Sequence, residues 1–318
     1  MAARIPLYDV IIIGGSFAGL SCAMTLGRSL RRVLIINEEK PRNRRVDKAH
    51  NFLLEDGREP FDILNSALKQ VRKYKTIKYI KDIAVSAKQT GSLQKIFTVK
   101  TKKGLSFSSD RLMIASGVRD ITRNIKGFGE CWGRTIVHCP YCHGYEIKNK
   151  KIGLLCEPEE ILDLTPLLLN LTDKITIFTN GRKLSLKQKM ILNNYNVRLS
   201  ESKISEIVHK KRIIKSIKLD DGTEIEIESL FTHLHVEQCS SIPGKLGVKK
   251  NEKNIIITDE NGRTNVDKVY AAGDCTNHVH QISTSIAGGS VTAMCINREM
   301  VDVEFSFRSV KSKKNNSK

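Results

Sequence analysis

Aromatic residues make up only 6% of the 318 residues and tryptophan occurs once, so there is little with which to build a stacking surface for unpaired bases. No apolar run approaches the roughly eighteen residues needed to cross a bilayer. Eight cysteines in a chain of this length are far too few for a disulfide scaffold. Acidic residues are also short: 34 Asp and Glu face 53 Lys and Arg, for a net charge of +19. That excess is scattered along the chain and no nucleic-acid-binding motif accompanies it, so it reads as solubility and steering, with an acidic protein partner or anionic substrate compatible. Residues 8–20 are apolar, but Gly14, Gly15 and Gly19 interrupt them and Arg4 and Asp9 flank or enter the run, against a secretory h-region. A cytoplasmic protein is expected. The basic segment 308–318 is expected to fray.

What is present suits a folded α/β protein of about two domains, with 40% hydrophobic and 27% charged residues. A β-branched run at 9–13 leads into Gly14-Gly15-Ser16-Phe17-Ala18-Gly19. Helical apolar spacing follows at 20–30, then a strand at 33–36. A helix is expected near 61–71, alternating segments at 76–85 and 96–101, and a buried strand at 111–115. A second strand–helix–strand opening lies at 151–155, 159–171 and 174–178. Short strands are expected over 197–236, with Asp220-Asp221-Gly222 as a hairpin turn. A strand at 268–272 and a helix at 283–300 complete the chain.

The first glycine turn has Gly14, Ser16 and Gly19 where a dinucleotide fingerprint has three glycines. Such a turn aims backbone N–H groups and a helix N-terminus at a pyrophosphate, and a serine hydroxyl could add a donor. Asn37 and then Glu38-Glu39 stand where a ribose ligand is expected. The alternative is merely a tight strand-to-helix turn.

The densest chemistry is His138-Cys139-Pro140-Tyr141-Cys142-His143. Two cysteines three apart at a helix start suit reversible disulfide formation, because the helix dipole and a neighbouring imidazolium favour the attacking thiolate. His143 could carry the proton. Haem attachment to Cys-x-x-Cys-His would require export. A zinc site would need four ligands crowded into six residues, and no second Cys-x-x-Cys exists; no metal is expected. A glutaredoxin-like reading would need the pair near the start of a small domain. The bland reading is an inert buried pair. Cys22, Cys131, Cys156, Cys239, Cys275 and Cys295 lie singly and are expected as small buried hydrophobes.

On these residues, with His50-Asn51-Phe52, Ala115-Ser116-Gly117, Gly127-Phe128, Trp132-Gly133 and Ala271-Ala272-Gly273-Asp274, the chain resembles the low-molecular-weight thioredoxin reductases, FAD-dependent pyridine nucleotide-disulfide oxidoreductases. The run Cys-Pro-Tyr-Cys-His-Gly-Tyr-Glu resembles the branch that includes FAD-dependent dithiol oxidases. The resemblance implies a two-domain Rossmann-like α/β fold: an FAD domain in two pieces, 1–118 and 244–318, with an inserted NAD(P)H-like domain, 119–243, carrying the cysteine pair. It implies that the pyrophosphate lies on Gly14, Gly15, Ser16, Ala18 and Gly19, with Glu38 on the ribose. Asn51, Ala115 and Gly117 would lie near the cofactor, Asp274 on the ribityl chain, and Gln281 and Ile282 at the start of the last helix. Cys142 would exchange electrons with the flavin and Cys139 with the substrate. His143 would act as acid/base, and His138 as a second base or a packing residue. A homodimer is implied.

One stretch departs from that family. Where a second glycine fingerprint should hold NADPH, the chain reads Ile152-Gly153-Leu154-Leu155-Cys156-Glu157-Pro158-Glu159-Glu160, and no glycine follows until Gly181. Carboxylates repel a pyrophosphate and proline removes an N–H donor. Only Arg182 and Lys183 offer positive charge after Phe178. The sequence reading is therefore a flavoenzyme with a lost nicotinamide site, taking electrons from a small dithiol and giving them to O₂. Alternatives are an NADPH-dependent thioredoxin reductase, a reductase of a thioredoxin-like protein fed by an acidic carrier such as ferredoxin, and a flavin-binding sensor that completes one cycle and stops.

Overall fold

The computed structural model describes residues 8–91 and 95–315, with side chains to residue 306. The chain divides into two compact units. One comprises Met1–Arg42, Phe61–Arg119 and Val236–Lys318, the other Asn43–Pro60 and Asp120–His235.

In the first unit the β-branched runs pair in parallel, in the order Ile77–Lys81, Val33–Asn37, Tyr8–Ile13, Ser106–Ile114. The long strand Ser106–Ile114 has two partners. Its first half pairs antiparallel with Ile96–Thr101, and its last residues pair in parallel with Val269–Ala271. Ala84–Thr90 closes the edge. The segment 76–85, expected as one alternating run, is two strands that break at buried Asp82, whose Oδ1 accepts the Ile83 N–H at 2.8 Å and so takes a backbone donor out of the ladder. The central strands are apolar on both faces, as a covered parallel sheet requires, and Ile11, Leu34, Phe97, Leu112 and Val269 join one core. Burying each such side chain contributes about 1.5–3 kcal/mol. The first helix is Phe17–Arg28 and the last Ile282–Asn315. The latter runs past the expected end at Met300 and takes in the backbone of most of the segment expected to fray; residues 316–318 lie outside the described residues.

In the second unit five parallel strands run in the order Arg198–Ser200, Ile175–Phe178, Ile152–Leu155, Ser229–Thr232, Ile136–Val137. Strand alternation sends Ile136, Leu155 and Leu230 to one face, where they pack with the antiparallel meander Ile204–Lys210, Ile213–Leu219, Glu224–Glu226. Val137, Leu154 and Phe231 go to the other face, against Ile161 and Leu168 of the helix Ile161–Leu169. The helix Leu186–Asn194 went unread in the sequence, because its polar surface carries little apolar periodicity; a Ser185–Gln188 capping box starts it. Residues 43–60 belong here through the Arg134–Asp47 pair at 2.9 Å and Arg212 donating to the Arg45 carbonyl at 2.7 Å.

Among the described residues no helix is long and apolar enough to cross a membrane, and no group of three or more His, Cys, Asp or Glu could hold a metal.

Candidate flavin cradle and redox disulfide

The carboxyl ends of three adjacent parallel strands converge in the first unit. Gly14 donates to the Ile36 carbonyl (2.9 Å), Ala115 to Ile13 (2.8 Å) and Ala272 to Ile114 (3.1 Å). Ligands of open α/β sheets bind at such an edge. Gly14 has φ +104°, and a Cβ there would lie 2.1 Å from the Ala115 oxygen. A Cβ on Gly19 would lie 2.0 Å from the Gly14 oxygen, so the helix packs directly on the turn. Ser16 begins that helix without capping it through its side chain, and no acidic residue occupies the first turn. The first N–H groups and the Ser16 hydroxyl are therefore placed for an anionic ligand.

Around this edge stand further polar groups. The buried Ser116 hydroxyl has no partner among the described residues. Asp274, just past the strand Val269–Ala271, accepts from Arg42 (3.3 Å) and Ser285 (3.2 Å). Glu38 follows its strand and pairs with Lys40, while Asn37 donates to the Gly15 carbonyl (3.3 Å) and the Tyr79 hydroxyl (2.9 Å). Gln281 precedes the last helix, its carbonyl accepting from Ser285 and Ile282 opening the helix. Gly117, also at positive φ, follows Ser116. Glycine turn, open helix start, unpaired hydroxyl and ribose-type carboxylate fit the pyrophosphate and ribityl chain of FAD. Sequence reasoning missed Arg42, whose only signal was an arginine five residues past the second strand. Asn51 clusters with the second unit, where its N–H donates to Asp56 at 2.8 Å.

In the second unit Cys139 and Cys142 form a disulfide, with Cα atoms 5.3 Å apart. The short helix Pro140–His143 starts at Cys139, whose sulfur accepts the Cys142 N–H at 3.1 Å. Proline at the first helical position needs no N–H partner there. The same N–H and the helix start would stabilise a thiolate on Cys139. His143 ends the helix with its ring nitrogens buried and without partners among the described residues. Burial holds its imidazole below the ordinary 6.5, while the Cys139 backbone facing it as an acceptor and the negative charge of Glu146 oppose that, and His50 adds to it. Burial therefore favours the neutral form of the ring. His138 stacks on Trp132 with centroids 5.7 Å apart.

The remaining thiols do not compete. Cys22, Cys131, Cys156, Cys275 and Cys295 are buried; Cys239, expected with them, is exposed, just past the short strand Val236–Gln238. Burial pushes Cys156 and Cys275 up to about 12 and Cys295 to about 11, far from thiolate formation.

Where a second fingerprint was sought, the strand Ile152–Leu155 runs through Cys156 into the single turn Pro158–Glu160. The Glu157 carboxylate accepts the Glu160 N–H, and the Glu160 carboxylate accepts the Glu157 N–H at 3.3 Å. Arg123 (3.3 Å) and Arg182 pair with Glu157, and His233 contacts Glu160. Gly153 sits within the strand, where a Cβ would meet Leu230 at 2.7 Å, and serves packing.

The sequence pattern of the pyridine nucleotide-disulphide oxidoreductase family matches residues 8–161 and 167–289. The fold is similar to that of an oxidoreductase from Agrobacterium tumefaciens, 32% identical, with 92% of this chain and 98% of that one covered at a TM-score of 0.85. It is also similar to the crystal structure of HlmI, 26% identical, with 98% of each chain covered and a TM-score of 0.91. Thioredoxin reductase sirT of Leptosphaeria maculans is 26% identical over 321 residues, covering 94% of this chain and 98% of the relative. With a flavin-type cradle in one unit and a Cys-x-x-Cys disulfide in the other, the chain belongs to the pyridine nucleotide-disulphide oxidoreductase family and is a thioredoxin reductase-like, FAD-dependent disulfide oxidoreductase.

Proposed function

We propose that this oxidoreductase takes its electrons from a dithiol rather than from NADPH, and passes them to O₂. The observation that carries this reading is the self-capped turn at Glu157–Glu160. Two backbone N–H groups that a nicotinamide pyrophosphate would need already point at the chain's own carboxylates. The arginines that could have met a phosphate, Arg123 and Arg182, are paired with Glu157.

The chemistry balances as a dithiol and O₂ giving a disulfide and H₂O₂, with two electrons and two protons transferred. A substrate thiol gives its proton to neutral His143 and attacks Cys139; the Cys139–Cys142 bond breaks and Cys142 leaves as thiolate. The second substrate thiol displaces Cys139, releasing the oxidised substrate. FAD, when bound, supplies the two-electron acceptor that reoxidises the pair and the route to O₂. Gly14, Gly15, Ser16 and Gly19 would hold its pyrophosphate, Glu38 its ribose and Asp274 its ribityl chain.

A second reading keeps NADPH as donor and a thioredoxin-like disulfide as acceptor. It is favoured by the family match, which extends over both units, and by the naming of the Leptosphaeria relative as a thioredoxin reductase. Anaerobic mixing separates the two. Bleaching of the flavin by dithiol alone, reversed by air with peroxide formed, is the expected result. Rapid bleaching by NADPH would overturn it in favour of the reductase. Bleaching by neither would point to an acidic carrier protein as donor, and a single cycle without turnover to a sensor.

A further inference from the structure

In the unit that carries the disulfide, several arginines gather around one carboxylate. Asp47 takes Arg134 Nε at 2.9 Å and the Arg212 guanidinium at 3.8 Å. These arginines, with Arg45, also donate to neutral carbonyls: Arg134 to Lys211 at 3.1 Å, Arg212 to Arg45 at 2.7 Å, and Arg45 to Gly129 at 2.8 Å. A guanidinium held by a carbonyl is ordered in advance yet keeps its charge, unlike one paired with a carboxylate. A Cβ on Gly133 would lie 2.9 Å from Arg45 Cβ, so the loop passes directly over that turn. Residues 43–48, the turn at Arg134 and the hairpin joining Ile204–Lys210 to Ile213–Leu219 are thereby pinned together.

The tip of that hairpin is unusual. Its two residues, Lys211 and Arg212, stand at φ 49° and 67°, where asparagine and glycine are the ordinary occupants. Left-handed backbone is costly for any residue with a side chain, and what this turn gains is a pair of cations at its tip. Lys48, Lys210 and Lys211 are exposed and make no ion pair among the described residues. Glu206, on the strand leading to the turn, is taken by Lys126 at 3.0 Å. Asp47 and the exposed Glu130 thus face an excess of fixed positive charge. These segments expose no aromatic ring, Trp132 being buried, so unpaired bases would find nothing to stack on.

We propose that this basic surface docks an acidic protein, and that the docked partner brings the reacting dithiol to Cys139. The proposal rests on the thiol–disulfide exchange of the proposed function and names the class of its substrate. Arg134 leads to Cys139 through the short strand Ile136–Val137, so their Cα atoms are at most about 18 Å apart. A standard protein interface, about 800 Å² per partner and so about 30 Å across, is wide enough to include both. Partner carboxylates meeting guanidinium groups already held in place speed encounter and set the register of docking. In the exchange a partner thiolate attacks Cys139, the Cys139–Cys142 bond breaks, and the partner's second thiol then displaces Cys139. Two electrons and two protons pass to the cysteine pair, and the partner leaves as a disulfide.

The test uses the whole oxidised flavoprotein without oxygen. Two reduced Cys-Ala-Ala-Cys peptides are compared, one flanked by glutamates and the other by glutamines. Reduction of the Cys139–Cys142 disulfide is followed by quenching, alkylation and mass measurement, and each rate is divided by that of dithiothreitol with the same variant. At about 20 mM salt the glutamate peptide should react about tenfold faster than the glutamine peptide, and the two should converge by about 0.5 M. Lys48→Glu with Lys211→Glu should abolish the difference. Lys187→Glu with Arg198→Glu, on exposed positions of Leu186–Asn194 and Arg198–Ser200, should leave most of it. Binding of the oxidised, dye-labelled glutamate peptide, read by anisotropy, should weaken about tenfold in the first pair alone. Equal rates for both peptides at low salt would overturn the docking, and equal losses in the two pairs would reduce it to the net charge of the chain. A single-stranded RNA bound more tightly than the glutamate peptide, and lost in Lys48→Glu with Lys211→Glu, would overturn it in favour of nucleic acid. A wild-type disulfide inert to dithiothreitol would instead overturn the thiol-exchange reading, with peptide binding still deciding the docking.

Discussion

The sulfur of Cys139 is the cap of the helix that ends in His143, accepting the Cys142 N–H at 3.1 Å. Redox chemistry and helix capping therefore share one atom. Opening the disulfide leaves that N–H and the helix start facing a sulfur that gains stability as an anion. The two cysteines are unequal for this reason, since Cys142 lies three residues further along and no such donor to its sulfur is found among the described residues.

Cys142→Ser should keep the flavin bound and abolish its bleaching by dithiol, while Cys139 remains free to be alkylated. Anaerobic absorbance with a thiol count checks both. Bleaching at the native rate would remove Cys142 from the role of flavin-facing cysteine.

For His143 the sign follows from burial. Its imidazole titrates below 6.5 in the folded chain, so as pH falls through 6.5 the unfolded chain takes the proton first. The stability it confers is complete above about 6.5 and is lost as pH falls toward the folded value. His143→Ala should lower the dithiol rate by about 10²-fold and erase its acid limb. His143→Asn should weaken the acid sensitivity of the urea midpoint between about pH 7 and pH 5.

At the self-capped turn, Glu157→Ala removes a cap and leaves Arg123 and Arg182 without their carboxylate. A loss of about 1–3 kcal/mol is expected, since Arg123 is largely buried and its Nε already has no partner among the described residues. Urea denaturation measures it. A change under about 0.5 kcal/mol would show that the turn does not depend on this carboxylate.

The glycine turn makes the sharpest steric prediction. Gly19→Ala sets a methyl 2.0 Å from the Gly14 oxygen, a backbone atom, with the Ile12 side chain 3.3 Å away. The purified protein should be largely free of flavin and more than about 1 kcal/mol less stable. A yellow variant with a full complement of flavin would mean that the pyrophosphate lies elsewhere.

Much of this could be read along the chain, because its signals are local. The run before Gly14, the spacing of Gly14 to Gly19 and the strand at Val33–Asn37 are set by β-propensity, turn sterics and a period that one helix can carry. The cysteine pair at a helix start needed only Pro140 and a spacing of three. The carboxylates after Leu155 announced themselves as charges where an anion should bind, but their reciprocal cap did not, because capping depends on the φ and ψ of Glu157. Arg42 beside Asp274 and Arg182 beside Glu157 are pairs separated by 232 and 25 residues, and no local pattern links them.

The sequence by itself determined the two strand–helix–strand openings and the redox pair, because each rests on contacts between near neighbours; the flavin was legible only through the resemblance to a family. Only the tertiary structure decided which unit the loop Asn43–Pro60 joins. A loop's partners follow from long-range contacts such as the Arg134–Asp47 ion pair and the Arg212 bond to the Arg45 carbonyl. Their formation depends on where distant strands bring the chain back, and no periodicity within the loop records that.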